Sequence, residues 1–148
     1  MFPIDQNTEK QARQAVETMV PVKEVGRSLQ FDFQKKQFVF VNGKAEEVDK
    51  EEAVKQWLET MCRTLPNRYP IFGKTGFGID TDKIIGYKAL PKGFLYSEIQ
   101  REIKENAVLN RSIRNITQFS AKEENGKLRI AFTALLYEGE GVEVNVIL

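Results

Sequence analysis

The sequence predicts an α+β fold in which an antiparallel sheet packs against two main helices, preceded by an N-terminal arm. Two stretches carry apolar residues at helical spacing, and period-two alternation occurs before the first and after the second. Strands that bracket a pair of helices favour an antiparallel layer fold. Since 148 residues is the length of one domain, we expect an arm over residues 1–28 and a single domain over residues 29–148.

The first part of the chain is divided by turn and breaker residues. A short helix over residues 8–20 is expected, closed by Pro21. Leu29–Phe33 and Gln37–Val41 alternate in hydrophobicity and predict a hairpin. Asn42-Gly43 is a turn signal, but the acidic stretch that follows does not alternate. We therefore predict a turn that leads into a loop, and no second hairpin.

Two amphipathic helices follow. Asp49 and Glu52 form a capping-box pattern at the start of the first helix, and Pro66 ends it. Its continuous apolar stripe predicts a core helix and consists of Ala53, Val54, Trp57, Leu58, Met61, Cys62 and Leu65. The second helix is predicted from about Gly93 to Ala107, and its inward residues are Phe94, Leu95, Ile99, Ile103 and Ala107.

Residues 66–93 are irregular and rich in proline and glycine, with one helical turn expected over 80–85. The apolar side chains expected to pin this segment to the core are Tyr69, Ile71, Phe72 and Phe77. The chain continues with three predicted strands, joined by turns at residues 124–126 and 139–141, namely Ile113–Ala121, Leu128–Tyr137 and Val142–Leu148.

Composition excludes several classes of function. Lys and Arg total 22 against 21 Asp and Glu, so the net charge is only +1, unlike the basic excess of a nucleic-acid binder. The absence of histidine excludes histidine-based catalysis and the usual zinc sites. The polar N-terminus does not resemble a signal peptide, and no apolar run reaches membrane-spanning length. We expect synthesis inside the cell, no cofactor or metal, and no nucleic-acid or membrane partner.

Three local patterns are candidate chemical sites. Gly73-Lys74-Thr75 resembles the end of a phosphate-binding loop, but Arg68 stands where that motif requires glycine. Cys62 lies on the apolar stripe, which favours a buried structural thiol over a nucleophile. Carboxylates remain candidates for glycoside hydrolysis, for which the possible pairs are Asp80 or Asp82 with Glu98; exposed surface acids are the simpler interpretation.

The last predicted strand is a candidate surface for pairing with another chain. Its alternate apolar residues are Val142, Val144, Val146 and Leu148, and no proline or polar tail interrupts it. At the edge of a sheet, such a strand offers free backbone groups to a partner strand. In the centre of a sheet it would be fully paired, and the sequence leaves both positions open.

Four ordered segments carry a resemblance to a known family: PVKEVGRSLQFDF, VDKEEAVKQWLETMCRTLPNRYPIFGKTGFGID, IIGYKALPKGFLYSEIQREIKENAVLN and SIRNITQFSAKEENGKLRIAFTALLYEGEGVEV. Together they resemble the small baseplate-wedge or sheath-initiator proteins of contractile phage tails. The closest likeness is to the versions in phages, prophages and tail-like bacteriocins of Gram-positive bacteria, and it runs from about Pro21 to Leu148. The wider family's Glu-Pro-Arg element has no counterpart here.

The resemblance implies a structural, non-enzymatic protein in a virion or tail-like baseplate. Multiple copies in a ring would join other baseplate wedge proteins around the tail tube and hub, and would template the first sheath ring by pairing strands with sheath subunits. Arg68, Tyr69 and Phe72 occupy family positions in the loop after the first helix and are expected to contact wedge partners, since Arg and Tyr are enriched at interface hot spots. The alternatives are a lysozyme-like cell-wall glycosidase of the tail, or a generic intracellular adaptor.

Overall fold

The computed structural model describes residues 28–72, 75–82 and 89–148, and within these ranges the architecture is α+β, as predicted. Helix α1 spans Lys50–Arg63, helix α2 spans Lys92–Ala107, and a single turn of 3-10 helix spans Pro70–Phe72. The predicted arm lies outside the described residues apart from Ser28, and the turn expected over 80–85 extends into residues 83–88, which also lie outside them.

A three-stranded antiparallel sheet follows helix α2. Strand β7 spans Ile113–Glu124, β8 spans Lys127–Leu136 and β9 spans Val142–Ile147, in the order β7-β8-β9. Asn125 and Gly126 turn β7 into β8 with φ angles of 52° and 73°, the left-handed pair that a tight two-residue hairpin needs. Helix α1 packs against β9 and helix α2 against β7, so the two helices share one face of the sheet.

The core lies between the two helices and this face of the sheet. Strict alternation along β8 and β9 sends every second side chain into the core, and the residues between them face the opposite, open side. The buried members are Leu128, Ile130, Phe132, Ala134 and Leu136 on β8 and Val142, Val144 and Val146 on β9. Helix α1 contributes Ala53, Val54, Leu58, Met61 and Cys62, and helix α2 contributes Leu95, Ile99, Ile103 and Ala107.

Asp49 caps α1 as the sequence predicts, because its side-chain oxygen accepts a 2.8 Å hydrogen bond from the backbone N–H of Glu52. The expectation for Phe94 on α2 was wrong, since its side chain is 53% exposed. Successive helical residues are rotated by about 100°, so the stripe that begins at Leu95 leaves Phe94 at its border, in the first turn of the helix.

Residues 28–48 form a small ribbon of six two-residue strands. Ladder β1–β6 joins Ser28–Leu29 to Glu47–Val48, and ladder β2–β3 joins Phe31–Asp32 to Gln37–Phe38. Ladder β4–β5 joins Phe40–Val41 to Lys44–Ala45. The predicted loop after Asn42-Gly43 was therefore wrong: these two residues, with φ angles of 52° and 77°, close a second hairpin.

A ring of three backbone hydrogen bonds explains how so short a ribbon holds together without alternation in its last segment. The N–H of Gln30 donates to Glu46, that of Glu46 to Val39, and that of Val39 to Gln30, at 2.8, 2.9 and 3.0 Å. The ribbon is attached to α1 through the amide of Gln56, which accepts from the N–H of Phe31 and donates to the carbonyl of Leu29, both at 2.8 Å.

Gly78 fixes the course of the irregular segment after α1. Its φ is 118°, and a β-carbon there would clash with the carbonyl oxygen of Thr64. The close approach lets the N–H of Ile79 donate to that same carbonyl at 2.9 Å. Phe77 and Ile79 are buried beside it, and the Phe77 ring meets Trp57 edge-on at 5.3 Å.

Candidate interaction site

Strand β9 lies at one edge of the sheet, and its hydrogen-bond pattern determines which residues face outward. Leu148 and Leu128 exchange both of their backbone hydrogen bonds, at 2.9 and 3.1 Å. Hydrogen-bonded pairs alternate along an antiparallel ladder, so Val146, Val144 and Val142 also direct their N–H and C=O groups toward β8. Glu143, Asn145 and Ile147 therefore direct theirs away from the sheet. We call this row of outward backbone groups the β9 edge.

The β9 edge is a regular row of open donors and acceptors. Of the residues that the structure describes, none pairs with β9 on this side, because the sheet ends with it. The ladder to β8 has no register shift, and the side chains of Glu143, Asn145 and Ile147 are exposed on the open face. Such an edge can add an extended segment from another chain.

The four strand residues named from the sequence direct their backbone groups toward β8 and their side chains toward the core, so they do not form the β9 edge. Val142, Val144 and Val146 are buried in the core, and Leu148 packs against it. They hold β9 in place and set its register. The residues whose backbone is free are the alternate ones, which the period-two pattern contains but which sequence reasoning did not single out.

The other edge of the sheet, β7, differs from β9. Its ladder to β8 has two register shifts, between Ile113 and Asn115 and between Thr117 and Ser120. Within the second, Gln118 has a φ of 54°, which is left-handed. The N–H of Ile116 is bonded at 2.8 Å to the side chain of Asn115. Bulges of this kind twist a strand and interrupt its row of backbone groups, so β7 is a poor surface for strand addition.

The loop after α1 is a second candidate surface. Arg68 and Tyr69 are exposed there, and Phe72 ends the 3-10 helix Pro70–Phe72; the side chain of Phe72 lies outside what the structure describes. The expectation that Tyr69 and Ile71 pin the loop to the core was wrong, because they are 50% and 87% exposed. The expectation for Phe77 is confirmed, because Phe77 is buried, and Ile79 is buried beside it. Three exposed residues in one short segment, Arg68, Tyr69 and Ile71, make the loop a candidate contact surface, and the exposure of Ile71 was not evident from the sequence.

A third group of exposed apolar side chains lies on the ribbon, where Phe38, Phe40 and Val41 are about half exposed or more. Phe31 packs edge-on between Phe33 and Phe38, at ring-centre distances of 5.1 and 5.2 Å. These rings hold the ribbon together from one side. The sequence predicted the strands but gave no reason to place their aromatic side chains at the surface.

The chemical sites considered from sequence find little support in the geometry. Burial raises the pKa of the Cys62 thiol to about 12, so it stays protonated and unreactive at neutral pH. Glu98 is paired with Arg101 at 2.9 Å on an exposed helix face, and Glu102 is the carboxylate that accepts from the N–H of Asp80. Within the ranges described, no three acidic or cysteine side chains cluster as metal ligands would.

The described helices are also too short or too polar to cross a membrane. No curated protein matches the chain. A family model, described as the contractile injection system sheath initiator, matches residues 27–139, which include the ribbon, both helices, β7 and β8. The chain therefore belongs to the sheath-initiator family of contractile injection systems, whose members are structural components of a tail-like assembly that interact with its other components, such as sheath and tube.

Proposed function

We propose that this sheath initiator joins baseplate wedge proteins around the tail tube and templates the first sheath ring by pairing β9 with an extended segment of a sheath subunit. The observation that carries the proposal is the β9 edge, with the outward backbone groups of Glu143, Asn145 and Ile147. In this view several copies form a ring at the baseplate, and each copy offers one such edge.

Backbone pairing suits a contact that is repeated around a ring. It supplies affinity through N–H and C=O groups and demands little of the side chains. The buried row on β9 packs against α1, so the edge is rigid before a partner arrives. A preformed strand loses less conformational entropy on pairing than a flexible one.

The loop after α1 supports the second part of the proposal, the contact with wedge proteins. Arg68 and Tyr69 are exposed immediately before the 3-10 helix, and Ile71 is exposed within it. Arg and Tyr side chains are enriched at interface hot spots, and the exposed Ile71 adds apolar surface to the same segment. We include Phe72 in this contact because of its position in the sequence, next to Ile71.

The strand-pairing part is tested by Asn145→Pro. Proline removes the outward N–H, and its ring intrudes on the position of an added strand, whereas an edge strand tolerates it where the N–H faces solvent. We expect a folded protein that gives tail tubes without anchored sheath in electron micrographs of assembled particles. Asn145→Thr keeps the N–H and is the matched control.

Ile147→Pro is a second test at the same edge, in case Asn145→Pro unfolds the domain. Circular dichroism and thermal denaturation establish which variants fold. Normal, fully anchored sheaths on particles that contain either folded proline variant would exclude the β9 edge as the template.

The wedge contact is tested by Ile71→Asp. This change replaces an exposed apolar side chain with a charged one and does not alter the buried core. We expect the variant to fold but to be missing from purified baseplates, as detected by quantitative mass spectrometry. Lys35→Asp, a charge change on the ribbon, is the control. Incorporation of Ile71→Asp at the level of the control would contradict a wedge contact at this loop.

A further inference from the structure

The open face of the sheet carries charges of opposite sign at the two ends of β9. At one end, Lys122, Arg129 and Ile147 form a row across the three strands, since Lys122 lies opposite Arg129 and Arg129 opposite Ile147. At the other end, Glu143 lies opposite Thr133. Ile147 and Glu143 are four positions apart on β9, about 14 Å along the strand.

The two cations of the basic row, Lys122 and Arg129, are close together and form no ion pair with a described residue. Like charges placed directly opposite each other destabilise a sheet. Beside this row is an open recess of about 440 Å³ lined by Glu124, Asn125, Lys127, Arg129 and Ile147. Glu124 lies directly opposite Lys127 in the ladder, so Arg129 is the cation left without an opposite acid.

The acidic end of β9 consists of one residue, Glu143, which lies opposite Thr133. The hydroxyl of Thr133 donates to the side chain of Gln118 at 3.1 Å. Among the described ion pairs none includes Glu143, and its side chain is exposed on the open face. Between the two ends of β9, Asn145 is uncharged and lies opposite Ala131.

We infer that, if β9 pairs with a partner strand as proposed above, it selects an antiparallel strand that has an acidic residue opposite Ile147 and a basic residue opposite Glu143. In an antiparallel pair the partner residue opposite Ile147 comes first in the partner sequence, and the residue opposite Glu143 follows four positions later. Arg129 lies two strand spacings, about 9.6 Å, from the added strand, since Ile147 of β9 stands between them. The long apolar stem of arginine can lie over Ile147 and bring the guanidinium within reach of a carboxylate on the partner strand.

The positions between these two residues follow from the alternation of β9. A partner residue opposite Asn145 is small and polar, for example threonine. Partner residues opposite Val144 and Val146 lie on the side of the sheet that carries α1, where apolar side chains extend the valine row. The partner sequence that fits best therefore has the pattern acidic, apolar, polar, apolar, basic.

The inference is tested with two labelled peptides that contain Asp-Val-Thr-Val-Lys or Lys-Val-Thr-Val-Asp between identical flanking residues. Fluorescence anisotropy with the full chain at low salt measures both affinities. We expect the first peptide to bind roughly fivefold more tightly, since the direct pair with Glu143 and the longer-range pair with Arg129 both change from favourable to unfavourable in the second. The preference should shrink as salt is added.

Charge reversal on the protein sharpens the test. The double variant Arg129→Glu with Glu143→Lys should prefer the second peptide, while Lys35→Glu, the same kind of change on the distant ribbon, should keep the wild-type preference. Equal binding of both peptides to the wild type would overturn charge selection and leave strand pairing standing. Binding of neither peptide would overturn strand pairing at β9, and selection with it.

Discussion

The two outer strands of the C-terminal sheet flank the same central strand, yet they present opposite kinds of edge. Strand β7 has twelve residues, two register shifts and a left-handed residue, Gln118. Strand β9 has six residues and pairs with β8 without interruption. The difference shows that each edge of a sheet is protected separately. Irregular backbone interrupts the outward hydrogen-bonding groups of β7, while β9 keeps a regular row of outward N–H and C=O groups.

The surroundings of the two strands reinforce the difference. At β7, Lys92 from the first turn of α2 forms a 2.9 Å ion pair with Glu123, so charged side chains lie over the far end of that strand. At β9, no ion pair of the described residues crosses the edge. A strand approaching β7 would have to displace these charges, whereas β9 is open to approach.

The largest expected effect is in amide hydrogen exchange along β9. Amides of Val144 and Val146 are bonded within the sheet and should exchange at least about a thousandfold more slowly than those of Glu143 and Asn145, which face solvent. Two-dimensional NMR of the deuterated protein measures all four. Slow exchange at Glu143 and Asn145 would mean that the edge is already covered.

A smaller effect is expected when valine replaces a polar residue on each edge. Gln118→Val forces a β-branched side chain into left-handed backbone and should lower the free energy of unfolding by about 1–2 kcal/mol. Asn145→Val places the same side chain in regular strand backbone and should change it by no more than about 0.5 kcal/mol. Urea denaturation of both variants measures the difference.

Gln118→Gly separates the backbone effect from the loss of the Gln118–Thr133 hydrogen bond. Glycine loses that bond as valine does, but it adopts the left-handed conformation freely. If Gln118→Gly destabilised the protein as much as Gln118→Val, the cost would lie in the hydrogen bond, and the contrast between the two backbones would be wrong.

The smallest expected effect concerns pH and the ion pair over β7. The hydrogen bond and negative charge of Glu123 raise the pKa of Lys92, with a further contribution from Tyr96. A raised lysine pKa contributes stability below the ordinary lysine pKa of 10.5, and this is lost as pH rises through the higher folded value. Lys92→Met should therefore lower Tm by about 1–3 °C at neutral pH and by less at strongly alkaline pH. A difference that grows with pH would contradict this assignment.

The sequence was most informative where a periodic apolar pattern coincides with a cap or turn. The Asp49 cap, the stripe of α1 and the three C-terminal strands all lie where the pattern predicts, because burial of one face decides both the element and its register. The second ribbon hairpin was missed because no face of it is buried, so no apolar pattern marks it. Residues 44–48 bury little, and backbone hydrogen bonds rather than side chains hold them.

The β9 edge was predictable in part. Alternation identifies which residues of the strand face the core, but nothing in the order of strands along the chain says that β9 has only one neighbour. That depends on the placement of β7 on the far side of β8. In the loop after α1, Ile71 and Phe77 are both apolar residues in an irregular segment, so the sequence predicts burial equally for both. The close approach of Gly78 to Thr64 is what draws Phe77 inward and leaves Ile71 outside.

The ring of hydrogen bonds among Gln30, Val39 and Glu46 affects how many strands from other chains the subunit can accept. No ladder of the ribbon exceeds two residue pairs, because the three segments are held to one another at that ring, and so short a ladder leaves too little edge for another chain to extend. With the ribbon closed on itself and β7 interrupted, β9 is the one long regular edge in the described part of the chain. If β9 pairs as proposed, the described part of the subunit accepts one added strand and offers no second regular edge from which the sheet could continue.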